Sequence, residues 1–191
     1  MNIDEAFTGL EAAIVLIAFV VVAAVFAYVV LGAGFFTTQK SQEVVHSGIQ
    51  QTGSTLMVVG EVYGVDIAGP SNTINAINVT LALAPGGIPI DMDKAVVTYS
   101  NSSVMETLQE TTGGYETQPA PGEWAITLVD HDIGTSNHLL EIGEQFEISA
   151  MPSHPIPPDD IITLEIKPAV GAPLEIVRTL PGYLNQANVL Y

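Results

Sequence analysis

Asn78-Val79-Thr80 and Asn101-Ser102-Ser103 are acceptor sequons for N-linked glycans. Asn78 falls on the outward phase of an alternating stretch and Asn101 in the turn after Tyr99, so both are candidate glycosylation sites. Acids gather at Asp91 and Asp93, at Asp130 and Asp132 around His131, and at Asp159-Asp160. A hard cation wants about six or more oxygens at fixed spacing, and no calcium-loop pattern is present. No metal site is therefore predicted, and Asp130 and Asp132 are the first pair to examine for one. His46, His131, His138 and His154 are scattered, without the paired spacing that zinc requires. There is no Cys nucleophile, no G-x-S-x-G elbow, no phosphate loop and no dinucleotide fingerprint. The chain is read as a protein that is not an enzyme and takes no cofactor. Trp124, Tyr99 and Phe146 sit on inward phases and belong to a core.

What must position these residues is dominated by one stretch. Ala12 to Phe36 holds no charged or strongly polar side chain, and the charge gap runs from Glu11 to Lys40. As a helix, Ala12 to Phe36 would be roughly 37 Å long, enough to cross a bilayer's hydrocarbon. It is apolar on every face, so its place is in lipid or among many copies of itself. Small residues recur along it. Ala23 and Ala27 have the spacing of packed membrane helices, and Gly32 and Gly34 also let backbones approach closely. From Thr37 to Val62 the chain stays helix-compatible, with a stop expected at Tyr63-Gly64. A helix from Asp4 to Tyr63 would be about 90 Å long, too long for one small domain to cover. Residues 1–64 are thus expected to be a helical rod covered by neighbouring copies and residues 65–191 a separate domain.

Net charge is −17, with only Lys40, Lys94, Lys167 and Arg178 positive. Such a surface repels nucleic acid and anionic lipid headgroups. Before the apolar run stand Asp4, Glu5 and Glu11 and no basic residue. Flanking charge alone would leave the body in the cytoplasm, in conflict with an outward-facing domain. A basic leader ahead of this segment is expected.

Beyond Gly64 the period changes to two. Ile77, Val79, Leu81 and Leu83 alternate with Asn78, Thr80 and Ala82. Val97 with Tyr99, then Trp124, Ile126 and Leu128, then Phe146 with Ile148 repeat the pattern. Ile162, Leu164 and Ile166, then Leu174 and Ile176, complete it. Gly113-Gly114, Pro119 to Gly122, Pro152 to Asp160 and Gly171 to Pro173 mark the turns. At least six short strands so arranged predict an antiparallel sandwich of immunoglobulin type. The fold class is α+β: a long apolar helix followed by that sandwich.

Phe7-Thr8-Gly9-Leu10-Glu11 ahead of Ala-Ala-Ile-Val-Leu-Ile-Ala-Phe resembles the mature start of class III, prepilin-like proteins. Pro89-Ile90-Asp91-Met92, Asn137-His138-Leu139-Leu140-Glu141 with Gly143-Glu144, and Leu164-Glu165-Ile166-Lys167-Pro168 follow in order. Together with Arg178-Thr179-Leu180-Pro181 they resemble the motifs of archaellins, the filament subunits of the archaeal flagellum. The resemblance implies cleavage by a prepilin-type signal peptidase, either between Ala6 and Phe7 or upstream of Met1. Ile3-Asp4-Glu5-Ala6 stands where Lys/Arg-Gly would precede the cut. It implies transient insertion in the cytoplasmic membrane, then a self-assembled, rotating extracellular filament. An archaellum membrane platform and a motor ATPase would be its partners. Glu11 is read two ways. Either its carboxylate pairs with an N-terminal amine at the helix base, or it sits near headgroups in favourable register with the helix dipole. An adhesive type IV-like pilus subunit and a membrane-anchored binding domain are the alternatives.

Overall fold

The computed structural model describes residues 3–67, 69, 71–111, 118–132 and 137–191, with side chains from residue 9 onward. Two compact units divide the chain, Met1–Gly48 and Ile49–Tyr191. The first is most of a single helix, α1 (Ile3–Gly53). Its composition permits this, since it has no Pro; the hydroxyls of Thr37 and Thr38 are satisfied within the helix by the carbonyls of Ala33 and Gly34, at 2.8 and 2.9 Å. Lys40 and Glu43 form an exposed pair at 2.6 Å one turn on.

The helix ends at Gly53, short of the stop expected at Tyr63-Gly64. Leu56, Val59 and Val62 suit a helical face, but the next segment pairs with the sheet instead. β1 (Leu56–Val58) lies antiparallel to the strand holding Leu81 to Leu83, and Ala84 N–H donates to the Thr55 carbonyl. Gly64 is not a cap. It lies within β2 (Val62–Val65), where a Cβ would overlap the Ile74 side chain. Tertiary pairing overrides local propensity here.

The remaining strands are β3 (Ala76–Leu83), β4 (Ile90–Asp91), β5 (Val96–Ser100), β6 (Met105–Glu110) and β7 (Glu123–Asp130). β8 (Leu139–Leu140), β9 (Gln145–Met151), β10 (Ile161–Lys167), β11 (Leu174–Thr179) and β12 (Ala187–Leu190) follow. The large sheet runs β11-β10-β5-β6-β7-β9-β3-β2-β12, with β1 also on β3. All pairs in it are antiparallel except the short β6–β7 contact, where Gln109 and Glu110 meet Glu123 and Trp124. That parallel step joins two antiparallel halves. Both give their inward faces to one core: Val97, Tyr99, Leu164 and Ile166 from one half, and Ile77, Leu81, Trp124 and Phe146 from the other. This is the expected sandwich. At the far ends of the path, Thr179 N–H donates to the Tyr191 carbonyl at 2.7 Å, tying β11 to the residue after β12.

Leu128, expected inward, is 49% exposed because a bulge between Ile126 and Leu128 shifts the phase of β7. Gly171, with φ of +121°, closes the Gly171–Pro173 turn against the end of α1: Gln51 Nε2 donates to its carbonyl, and a Cβ there would overlap Ser54. The Pro152–Asp160 loop is pinned by reciprocal bonds between Ile74 and Ile156. The turn at Gly113-Gly114 lies outside the described residues.

Candidate functional site

Every described side chain from Gly9 to Ile49 is exposed in the isolated subunit, Phe19 and Tyr28 by 75% and 80%. Each large apolar group left in water costs about 1.5–3 kcal/mol relative to burial, so the sum runs to tens of kcal/mol. At 100° per residue Ala23, Ala27 and Gly34 fall within one narrow stripe of α1, and Gly32 on the opposite side. A Cβ at Gly32 or Gly34 would meet nothing within 4 Å. The helix therefore offers one close-approach stripe and a further small residue on the opposite face, and as it is exposed all round it suits a rod surrounded by others. Glu11 is exposed on the same helix. Ala6 and Phe7 lie in its first turns, and their side chains are outside the described residues.

The two sequons differ in setting. Asn101 occupies the β5–β6 turn, where its Oδ1 accepts from the N–H groups of Ser103 and Val104 at 3.0 and 2.7 Å. Ser102 and Ser103 are exposed. Asn78 is in mid-strand on β3. Its Nδ2 donates to Glu147 Oε1 at 3.1 Å and its Oδ1 is buried. The nitrogen that a glycan would take is thus engaged at Asn78.

The acids sort differently from the sequence reading. Asp130 pairs with the adjacent His131 at 3.2 Å, both exposed, and neither it nor Asp132 belongs to a three-ligand group among the described residues. Instead Asp93, Glu110 and His138 converge, their ligand atoms all within 4.8 Å of one another. A short 3-10 turn (Met92–Lys94) capped by Asp91 presents Asp93, while Met92 N–H donates to the His138 carbonyl at 2.8 Å. His138 Nδ1 contacts Asp93 Oδ1 and stands 3.6 Å from Glu110 Oε1. Partial burial and the Asp93 charge push the Glu110 carboxyl above its usual range, against the pull of His138. The Asp91 carboxylate beside Lys94 raises that ammonium's pKa. One imidazole and two carboxylates are ligands a divalent transition-metal ion accepts. These residues come from three separate segments, so no local spacing could have announced them.

Trp124, Tyr99 and Phe146 are fully buried, as expected of core residues. Burial, with the Asp160 charge, holds the Tyr99 phenol protonated well beyond its ordinary range.

A sequence model of the family described as archaeal-type flagellin matches residues 6–178. "Probable flagellin 2" of Archaeoglobus fulgidus is 34% identical over 192 residues, spanning 93% of this chain and 90% of its own length. "Probable flagellin 1" of the same organism is 38% identical over 196 residues, 98% of this chain and 95% of its own. Among solved structures, the archaeal flagellum of Methanospirillum hungatei strain JF1 superposes with a TM-score of 0.72 at 35% identity, covering 96% of this chain and 99% of that one.

Proposed function

The chain belongs to the archaeal-type flagellin family, and from that premise we propose how its parts serve a filament. It is a structural subunit of the archaeal flagellum, an extracellular filament for swimming motility formed by self-assembly. The observation that carries the proposal is the rod: a span of membrane length, apolar all round, none of it sheltered by its own subunit.

In the proposed route α1 first rests in the cytoplasmic membrane. A prepilin-type signal peptidase cuts on the cytoplasmic side, before Phe7 or upstream of Met1. A membrane platform and a separate motor ATPase then add the subunit, and the helix exchanges lipid for a bundle of identical helices. Hydrophobicity does not favour helix over lipid, so the small residues Ala23, Ala27, Gly32 and Gly34 supply the close packing that does. In the apolar bundle the Glu11 carboxylate is costly unless it meets an amine, which favours the assembled register over a misplaced one. The sandwich forms the outer wall, and Asn101, in a turn with exposed Ser102 and Ser103 rather than in mid-strand like Asn78, carries the glycan. No catalytic step, cofactor or nucleic acid is assigned to the chain.

The test is to shear and purify surface fibres, image them, and sequence the subunit's N-terminus. Continuous fibres of this chain beginning near Phe7 are expected. A dispersed, lipid-embedded monomer with no fibres would overturn the proposal.

A further inference from the structure

We propose that an outward hollow on β2, β3 and β9 receives Lys167 of a second copy of this chain. The inference rests on the filament reading and names a contact in its wall.

The hollow, about 220 Å³, is lined by Tyr63, Val65, Asn78, Thr80, Glu147 and Ala187. The sheet register builds it. Tyr63 stands opposite Asn78, Asn78 opposite Ser149, and Thr80 opposite Glu147, all on the phase that faces away from the core. The one charged group lining it is negative. Glu147 supplies a carboxylate, steadied by the Asn78 amide. Tyr63, 45% exposed, adds an aromatic ring whose face attracts a cation. The half-buried carboxylate and the exposed aromatic ring, both reachable from outside, together recognise an ammonium group.

The chain supplies few such groups. Lys40 is paired with Glu43 and Lys94 with Asp91. Arg178 donates to the Val177 carbonyl at the edge of β11. Lys167 is exposed at the end of β10, in the outward phase set by buried Leu164 and Ile166, and makes no ion pair among the described residues.

Lys167 and the hollow belong to opposite halves of the sandwich. Each half turns one face to the common core, so their outer faces look away from each other. The Lys167 of one subunit cannot reach that subunit's own hollow, so the lysine that enters it comes from a neighbour. Because the two patches differ, the contact is heterologous: each copy offers a free Lys167 at one side and a free hollow at the other. Such a contact adds copies in one direction and does not close as a dimer does. In a chain of −17 net charge, setting a cation among acceptors also relieves the repulsion that wall-to-wall contact would otherwise raise.

The experiment compares filaments from cells producing the full chain unaltered, as Lys167→Glu, as Glu147→Lys, and as the double exchange. Lys167→Glu is expected to lower the polymerised fraction about tenfold and to make sheared fibres fall apart at lower salt. The double exchange should restore both measures, because the ion pair is reversed rather than lost. Unchanged Lys167→Glu fibres would overturn the contact, since that residue is exposed and its change leaves the fold intact. So would a double variant no better than either single one, with thermal unfolding as in the unaltered subunit. If the unaltered chain itself forms no fibre, it is the filament reading that fails instead.

Discussion

The two units of this chain solve opposite problems with similar residues. In the sandwich, Ile77, Leu81, Leu140, Phe146 and Ile148 are wholly shielded by one another. In α1, Ile14, Val22, Phe26 and Leu31 are as apolar and more than half exposed. The difference lies in arrangement. A sheet buries every second side chain inside its own subunit. A helix apolar all round has no interior to use, so its burial depends on others. One unit shelters its own apolar side chains, and the other is complete only in company.

The largest effect that could break this contrast is a charge in the rod. Val22→Asp is expected to abolish filaments, read by electron microscopy, while near-ultraviolet dichroism of the detergent-extracted subunit keeps its sandwich signature. The mirror experiment is truncation. A fragment of residues 49–191 should fold, remain monomeric in a sizing column and never polymerise. Within the sandwich, Trp124→Ala should cost about 3–5 kcal/mol of unfolding free energy, seen as a lower Tm, because the side chain is fully buried.

A backbone test follows in size. Gly171→Val forces a side chain into Ser54 at a φ that disfavours any Cβ, so it should destabilise by about 1–3 kcal/mol in a denaturant titration. Smallest is a pH effect. The folded state raises the Glu110 pKa, so protonation favours the fold: that contribution is present at low pH and lost as pH rises through the folded value. Glu110→Gln should therefore be slightly the more stable at pH 8, with the advantage fading toward the ordinary carboxylate range. An advantage that grows on acidification would show His138, not burial, to govern the site.

Much of this was open to reading beforehand because periodicity survives in local sequence. β3, β9 and β10 announce themselves by strict alternation, and α1 by the absence of any break. Where reading failed, distant partners decided. Leu56 to Val62 fits a helix until β3 is there to pair with it. β6 and β12 carry too few buried apolar residues to signal a strand: in β6 only Leu108 is buried, and in β12 Leu190 shares the inward phase with Asn188. A bulge hid the true phase of Leu128. The Asp93–Glu110–His138 group was invisible because its members meet through folding, whereas the conspicuous Asp130–His131–Asp132 run stays an exposed turn.

One bond gains meaning from the crowd in which the chain works. An open sheet presents unpaired amides and carbonyls at both margins, and thousands of identical margins held side by side in a fibre invite strand-to-strand annealing. By bringing Tyr191 back to Thr179, the fold seals part of one margin against the other. Docking between walls is then left to side chains, which can discriminate, and withheld from the backbone, which cannot.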